Sequence, residues 1–169
     1  MSAAFRVIAI AASGLIVWSA AASRVAEQVR RPLATVVHGA VVSQPFGCTS
    51  VALEPFDPFC PSRHVHTGVD LAAHAGSPVY SATAGRARVG YDTSGAGLYI
   101  AVAYDDRVRI LYCHLQEALV ISGTNVGAGD MIGLVGSTGL ATGPHVHFEI
   151  QVDGRSVDPD LWLASAGRS

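Results

Sequence analysis

The sequence contains no lysine, since all eleven of its basic residues are arginines. This absence excludes Schiff-base chemistry and a lysine general base. Charged residues make up only 14% of the chain, and the formal net charge is −2. Because positive charge is not in excess, nothing in the composition indicates a nucleic-acid-binding protein.

Two common hydrolase motifs are also missing. The sequence has no His-Glu-x-x-His motif and no Gly-x-Ser-x-Gly elbow, because the segment GSTG at 136–139 has the wrong spacing. Cys113 and His114 are neighbours in a strand-like run. Strand alternation therefore predicts that they face opposite sides and cannot act as a nucleophile–base pair. We interpret Cys113 as a small buried hydrophobic residue.

Sustained helical periodicity is absent after residue 38. Short apolar runs alternate there with Gly, Asp and Ser, and segments 104–107 and 152–155 have the composition of hairpin turns. The 18 glycines suit a chain with many turns, and there is no internal repeat. The pattern predicts one all-β domain of antiparallel strands over residues 38–165, preceded by one hydrophobic N-terminal helix.

The longest apolar run lies near the N-terminus, from Val7 to Ala22. It follows Arg6 and ends in SAAAS, whose small residues a signal peptidase accepts. We interpret residues 1–37 as a signal peptide, or a membrane anchor through residues 7–22, plus a linker. A buried helix of the folded domain is the alternative. Either export interpretation predicts an extracytoplasmic protein that is secreted, periplasmic or membrane-anchored.

The three cysteines fit such a location. Cys48 and Cys60 bracket a loop rich in proline and polar residues, and oxidising compartments favour pairing of loop cysteines. A Cys48–Cys60 disulfide is therefore predicted. The alternatives are two free thiols or pairing with another chain.

The chain has seven histidines. Three of them and one aspartate form two short spacing motifs. His145 and His147 lie two positions apart in an apolar run, so in a strand they face the same side. His66 precedes Asp70 by four residues, and Gly68 between them permits a sharp backbone path. Together, His66, Asp70 and His147 would form a catalytic zinc set of two imidazoles and one carboxylate, with one position open for water.

Alternatives to this set stay open. His64 forms a second His-x-His pair with His66 and is either a rival ligand or a groove-wall or surface histidine. A structural zinc site is the alternative for the whole set, although such sites are usually closed by four ligands, often cysteines. Glu149 shares the face of His145 and His147. It would either orient one of them by a hydrogen bond or be an ordinary strand carboxylate.

Three motif blocks, HTGVDLAAHAGSPVYSATAGRARVG, YCHL and GSTGLATGPHVHFEI, resemble those of the lysostaphin/LytM-type zinc metalloendopeptidases. The family pattern is His-x-x-x-Asp, then Tyr-x-His-Leu, then His-x-His in a glycine-rich context. The likeness covers residues 40–163 in the family's order. Family members are mostly endopeptidases that cut cross-links or stem peptides of bacterial peptidoglycan. Their fold, of the duplicated-hybrid-motif type, is a sandwich-like antiparallel β-structure with a substrate groove over the metal.

The resemblance also implies roles for individual residues. It implies that His66, Asp70 and His147 bind one Zn²⁺ ion, while His114 and His145 are catalytic and not ligands. The sequence keeps all five positions and so does not resemble the family's degenerate, non-catalytic members. The resemblance therefore predicts a zinc metalloendopeptidase that hydrolyses peptide bonds in peptidoglycan. The alternative is a non-cutting cell-wall binding or regulatory module of the same fold.

Overall fold

The computed structural model describes residues 33–166. The predicted N-terminal helix, and with it the signal or anchor segment at residues 7–22, lies outside the described residues. Within the described part of the chain, no helix is long and apolar enough to cross a membrane.

The described chain consists mainly of short β-strands. A 3₁₀ turn at Leu33–Thr35 precedes them, and helix α1 at Pro159–Ala166 follows them. In chain order the strands are β1 (Val41–Gln44), β2 (Gly47–Thr49), β3 (His64–His66), β4 (Val69–Ala72), β5 (Pro78–Tyr80), β6 (Gly85–Asp92), β7 (Gly97–Ala103), β8 (Val108–Leu115), β9 (Glu117–Ala118), β10 (Asn125–Val126), β11 (Met131–Leu134), β12 (His145–Val152) and β13 (Arg155–Val157).

Most of these strands form one large antiparallel sheet in the order β1-β4-β12-β8-β7-β6-β10, with β13 paired to the end of β12. A small sheet has the order β5-β11-β9, and β2 pairs with β3. The turns at 104–107 and 153–154 join β7 to β8 and β12 to β13 as antiparallel hairpins. The all-β prediction and both hairpins are therefore confirmed.

The side chains of strand β12 alternate between the two faces of the large sheet. Val146, Phe148 and Ile150 have no exposed surface and lie in the hydrophobic core, where burial of each side chain contributes about 1.5–3 kcal/mol. The same core includes Ile132 from the small sheet and Leu163 from α1. The residues that alternate with this trio point to the opposite face. The core thus holds β12 in place and leaves its other face free for polar side chains.

Helix α1 was not expected, because the sequence shows no sustained helical periodicity after residue 38. Asp158 accepts hydrogen bonds from the backbone N–H groups of Asp160 and Leu161, at 2.9 and 3.4 Å, as an N-cap residue does. Pro159 occupies the first helical position, where its missing N–H costs nothing. The helix has only eight residues, and a helix this short shows no recognisable hydrophobic periodicity in the sequence.

The cysteines behave as expected. Cys48 and Cys60 form a disulfide that closes the loop between β2 and β3, and we call residues 49–59 the disulfide loop. Cys113 is a free, buried thiol.

Candidate metal centre and active site

Three donor atoms from β3, β4 and β12 converge at one point on the free face of the large sheet. His66 Nε2, Asp70 Oδ1 and His147 Nδ1 lie 2.9–3.1 Å from one another. Strand pairing explains the convergence, because His147 of β12 is directly opposite Asp70 of β4. Among residues 33–166, these three form the one group of His, Cys, Asp or Glu side chains arranged to hold a metal ion.

Each imidazole is oriented by a hydrogen bond at its outer nitrogen. His66 Nδ1 lies 2.9 Å from the carbonyl oxygen of Pro45, and His147 Nε2 lies 3.4 Å from Glu149 Oε2. A carbonyl or carboxylate oxygen only accepts, so these outer nitrogens carry the ring protons. The lone pairs of His66 Nε2 and His147 Nδ1 then point toward Asp70 Oδ1. Three converging lone pairs repel one another unless a cation or a proton lies between them.

Glu149 is held as an ionised carboxylate. It accepts hydrogen bonds from Thr67 Oγ1 at 3.1 Å, Gln151 Nε2 at 2.6 Å and Ser156 Oγ at 2.7 Å. Burial would raise the pKa of Glu149, but hydrogen bonds from His147, Ser156 and Gln151 outweigh it and lower the pKa to about 2. Glu149 therefore accepts from His147, which is the geometry that orients a metal-binding imidazole.

The carboxylates of Asp70 and Glu149 determine the charge of the metal centre. Burial would lower the pKa of His147, but hydrogen bonds with Asp70 and Glu149 outweigh burial and raise that pKa to about 9. Burial would likewise raise the pKa of Asp70, yet its close contacts with the His147 and His66 rings hold that pKa well below its ordinary value. The centre attracts positive charge, which either a proton or a metal ion provides.

The donor set fits a tetrahedral metal ion such as zinc. Zinc ligands at about 2.0–2.2 Å in tetrahedral geometry lie roughly 3.3–3.6 Å apart. The three donor atoms, at 2.9–3.1 Å, form a slightly smaller triangle of this shape. Two imidazoles and one carboxylate are donor types of catalytic zinc sites, in which a fourth position stays open.

Proton competition at His147 leads to a testable prediction. With a pKa of about 9, His147 is protonated at neutral pH and must lose its proton when a metal ion binds. Zinc affinity should therefore rise with pH below about 9, by roughly tenfold per unit for one released proton. Calorimetry at pH 6 in buffers of different ionisation enthalpy should detect this proton, and Glu149→Gln should reduce its release at pH 8. An affinity independent of pH between 6 and 8 would contradict the prediction.

Gly68 allows β12 to approach the turn between β3 and β4. A Cβ atom at this position would lie 2.5 Å from the carbonyl oxygen of Phe148 and 2.9 Å from the His147 ring. Glycine is therefore needed here because of close packing and not for a sharp backbone path.

This packing predicts that Gly68→Ala destabilises the fold by about 1–3 kcal/mol and displaces the His147 ring. Zinc affinity should fall together with the free energy of unfolding. Gly143→Ala is the matched control, because a Cβ there meets nothing within 4 Å. Urea unfolding and zinc titration of both variants test the prediction, and equal behaviour of the two would refute it.

His114 and His145 form a second histidine pair beside the metal centre. Their ring centroids are 4.7 Å apart, and His145 Nε2 lies 3.7 Å from Asp70 Oδ1. His114 Nδ1 is 2.8 Å from the carbonyl oxygen of Thr138, and His145 Nδ1 is 2.8 Å from that of Gly143. Both Nδ1 atoms therefore donate, and in a neutral ring the Nε2 atom then keeps a lone pair. Burial lowers the pKa of His114, so this ring is neutral near pH 7.

The prediction that Cys113 and His114 face opposite sides is wrong. His114 has a left-handed backbone, with φ of 63°, and the register between β7 and β8 shifts nearby. Its N–H pairs with the carbonyl oxygen of Ala96 at 2.8 Å. This bulge breaks the alternation, so both side chains line the same groove. Cys113 is still no nucleophile, because burial, with the nearby Glu149 and Asp70 charges, raises its pKa to about 12.

A groove of about 440 Å³ contains this constellation. One wall consists of Val51, Leu53 and Pro55 from the disulfide loop, and the other includes Gly95 and Leu140. The Cys48–Cys60 bond thus closes the loop that shapes one side of the groove.

Glu54 is a groove residue that no sequence motif indicated. Its Oε1 lies 4.0 Å from His66 Nε2 and accepts a hydrogen bond from Gln44 Nε2 at 2.9 Å. The disulfide loop brings Glu54 to the metal centre, and such a contact depends on tertiary structure alone. His64, the rival ligand, lies outside the centre. Its Nδ1 is 2.8 Å from the carbonyl oxygen of Glu54, and its ring packs edge-on against Phe56.

The antiparallel β-fold and its group of two imidazoles and one carboxylate are those of a candidate metal-binding protein, and comparison with known proteins identifies the family. Residues 64–159 match the sequence profile of Peptidase family M23. The chain belongs to this family, which confirms the resemblance to the lysostaphin/LytM-type proteins.

Two curated relatives and one solved structure illustrate the similarity. The chain is 36% identical over 118 residues to DD-carboxypeptidase/endopeptidase Mpg of Neisseria meningitidis, covering 70% of this chain and 26% of the relative. It is 41% identical over 93 residues to peptidoglycan DD-endopeptidase ShyB of Vibrio cholerae, covering 55% and 22% respectively. The catalytic domain of lysostaphin from Staphylococcus simulans superposes with a TM-score of 0.62 and 30% identity, covering 74% of this chain and 92% of that one. The chain spans about a quarter of the length of these curated relatives.

Proposed function

We propose that the chain is a zinc-dependent endopeptidase that hydrolyses peptide bonds of bacterial peptidoglycan. The observation that carries the proposal is the convergence of donor atoms from His66, Asp70 and His147 in a groove, beside the rings of His114 and His145. Relatives named as peptidoglycan DD-endopeptidase and DD-carboxypeptidase/endopeptidase support a peptidoglycan peptide as substrate.

In this proposal His66 Nε2, Asp70 Oδ1 and His147 Nδ1 hold the zinc ion. Pro45, through its carbonyl oxygen, and Glu149 keep the two imidazoles in the ligand orientation. When bound, zinc supplies a Lewis acid that polarises a carbonyl group and activates a water molecule.

The histidine pair His114 and His145 carries the proton transfers. Each ring donates its Nδ1–H to a backbone carbonyl, which leaves Nε2 as the nitrogen available for chemistry in the groove. One of the two takes the proton of the attacking water as general base. The other, when its Nε2 carries a proton, donates a hydrogen bond to the oxyanion or gives that proton to the leaving amine.

We further propose that residues 38–165 form the peptidase domain and that residues 1–37 are a signal peptide or anchor with a linker. An extracytoplasmic location is supported by the Cys48–Cys60 disulfide and by relatives named for peptidoglycan.

Product analysis tests the proposed reaction. The zinc-loaded chain should release new free amino groups from purified peptidoglycan, without new reducing sugar ends, and a chelator should stop the release. Glycoside hydrolysis generally uses two carboxylates that flank the bond. Of the three carboxylates that line this groove, Asp70 and Glu149 are bound to histidines of the centre, which leaves Glu54 alone. New reducing ends, or release that persists with chelator, would refute the proposal. Binding to peptidoglycan without any release would favour the non-cutting binding module.

A further inference from the structure

Beyond β12, the face of the large sheet that carries the metal centre continues across the long strands β8, β7 and β6. Cross-strand pairing defines two rows of neighbours on this face. The first row, from β12 to β6, is Glu149, Leu111, Ala101 and Arg88. The second row is Gln151, Arg109, Ala103 and Arg86. The far end of the same face therefore carries arginines where the near end carries histidines.

A hollow of about 440 Å³ lies over the far end of this face. The hollow exists because Ala101 and Ala103, which lie between the arginines at its base, have short side chains. Tyr99 borders it, with its ring lying over Gly90, where a Cβ atom would be 2.4 Å from the ring. We call Arg86, Arg88, Arg109 and Tyr99 the arginine cleft.

The arginine cleft adjoins the groove of the metal centre. Ala96 and Leu111 line both hollows. A peptide chain that leaves the metal centre along the sheet face therefore reaches the arginines next.

The cleft has an excess of positive charge, because three arginines line it together with a single carboxylate, Asp92. All three arginines are exposed, and among residues 33–166 none of them forms an ion pair with a carboxylate. Arg109 donates a hydrogen bond to the neutral Gln151 Oε1 at 2.6 Å. The carboxylate that lines the cleft, Asp92, is occupied by hydrogen bonds from the backbone N–H and Oγ of Ser94, at 2.9 and 2.7 Å.

We propose that the arginine cleft binds the free carboxylates of an acidic peptide substrate whose scissile bond lies at the metal centre. This proposal rests on the proposed endopeptidase function. Guanidinium groups bind carboxylates as two-pronged hydrogen-bond donors, and the Tyr99 ring offers an apolar surface beside them. A large polyanion is a poor fit, because the net charge of the chain is −2.

The dimensions specify where the carboxylate should lie in the substrate. Three strand spacings separate β12 from β6, which amounts to roughly 14 Å across the sheet. An extended peptide advances about 3.3 Å per residue, so the cleft should recognise a carboxylate about four to five residues from the scissile bond.

A matched pair of peptide substrates tests this subsite. The two peptides are identical, except that the carboxylates four to five residues from the scissile bond are free in one and amidated in the other. With the full zinc-loaded chain, amidation should raise KM by about tenfold and leave kcat unchanged, as expected for loss of one charge-assisted contact. Arg88→Gln and Arg86→Gln should raise KM of the free-carboxylate peptide similarly and leave that of the amidated peptide unaltered.

Arg155→Gln is the charge-matched control. Arg155 is exposed and pairs with Val152, so it lies on the opposite face of the sheet from Gln151 and the cleft. The proposal is overturned if the two peptides have equal KM values with the unaltered chain, or if Arg155→Gln acts like Arg88→Gln. Inorganic phosphate that displaces the free-carboxylate peptide at equal concentration would assign the cleft to a phosphate-bearing polymer and also overturn it.

Calorimetric binding separates failure of the subsite from failure of the proposed function. If the unaltered chain cuts neither peptide, the endopeptidase proposal fails, but the dissociation constants of the two peptides are still measurable. An approximately tenfold preference for the free carboxylates that Arg88→Gln abolishes would support the cleft even then. Equal dissociation constants would overturn it.

Discussion

Replacing His147 with alanine should lower zinc affinity by more than about a hundredfold and abolish peptidase activity. The reason is that His147 provides one of three converging donor atoms, and its removal leaves two. Loss of a mere hydrogen-bonding partner of a ligand typically costs about 10–100-fold in metal affinity, and loss of the ligand itself should cost more. Zinc titration with a competing chelator, together with the rate of peptide release, measures both effects.

Two further variants provide comparisons for the loss of zinc affinity in His147→Ala. Glu149→Gln keeps the size of the side chain but weakens the hydrogen bond to His147 Nε2, so zinc affinity should fall by about 10–100-fold. His64→Ala should leave zinc affinity unchanged, because His64 bonds to the carbonyl oxygen of Glu54, outside the centre. If His64→Ala loses zinc while His147→Ala keeps it, the ligand assignment is wrong.

His114→Ala and His145→Ala should each retain zinc and lose at least about a hundredfold in kcat/KM, the usual scale for a general acid or base. Neither ring belongs to the triangle of donor atoms, yet both lie beside it in the groove. Metal analysis of the purified variants and kinetics on a peptidoglycan peptide check the two halves of this prediction separately.

The matched control for the histidine pair is His74→Ala, since His74 is exposed and lies outside the groove lining. This variant should keep both its zinc and its activity. If the pair works as a unit, the double variant of His114 and His145 should lose little more activity than the more impaired single variant. The division of roles fails if His145→Ala sheds zinc as readily as His147→Ala.

Much of the framework was predictable because the signals are local in the chain. Alternation along 145–150 assigns Val146, Phe148 and Ile150 to one face and the histidines to the other, and the strand pairs as this pattern predicts. The turn composition of segments 104–107 and 152–155 likewise predicted the hairpins. The motif order predicted the family, and the loop cysteines predicted their disulfide. The roles of His66, Asp70 and His147 as ligands stay a prediction, although the structure brings them together.

The tertiary structure alone decided how these side chains meet. The bulge at His114 turns this residue into the groove, whereas regular alternation predicts the core. The carbonyl oxygen of Pro45 selects the tautomer of His66, and the disulfide loop brings Glu54 within 4.0 Å of the same ring.

The arginine cleft is a second feature that only the tertiary structure created. Arg86 and Arg88 lie on β6, and they join Arg109 only through the register of three neighbouring strands. Alternation and turn chemistry act over a few residues, so the sequence by itself determined the strands, the hairpins and the faces on which residues lie. Bulges, buried carbonyl partners and cross-strand neighbours depend on chain segments far apart in sequence, and these contacts form only when the whole sheet assembles.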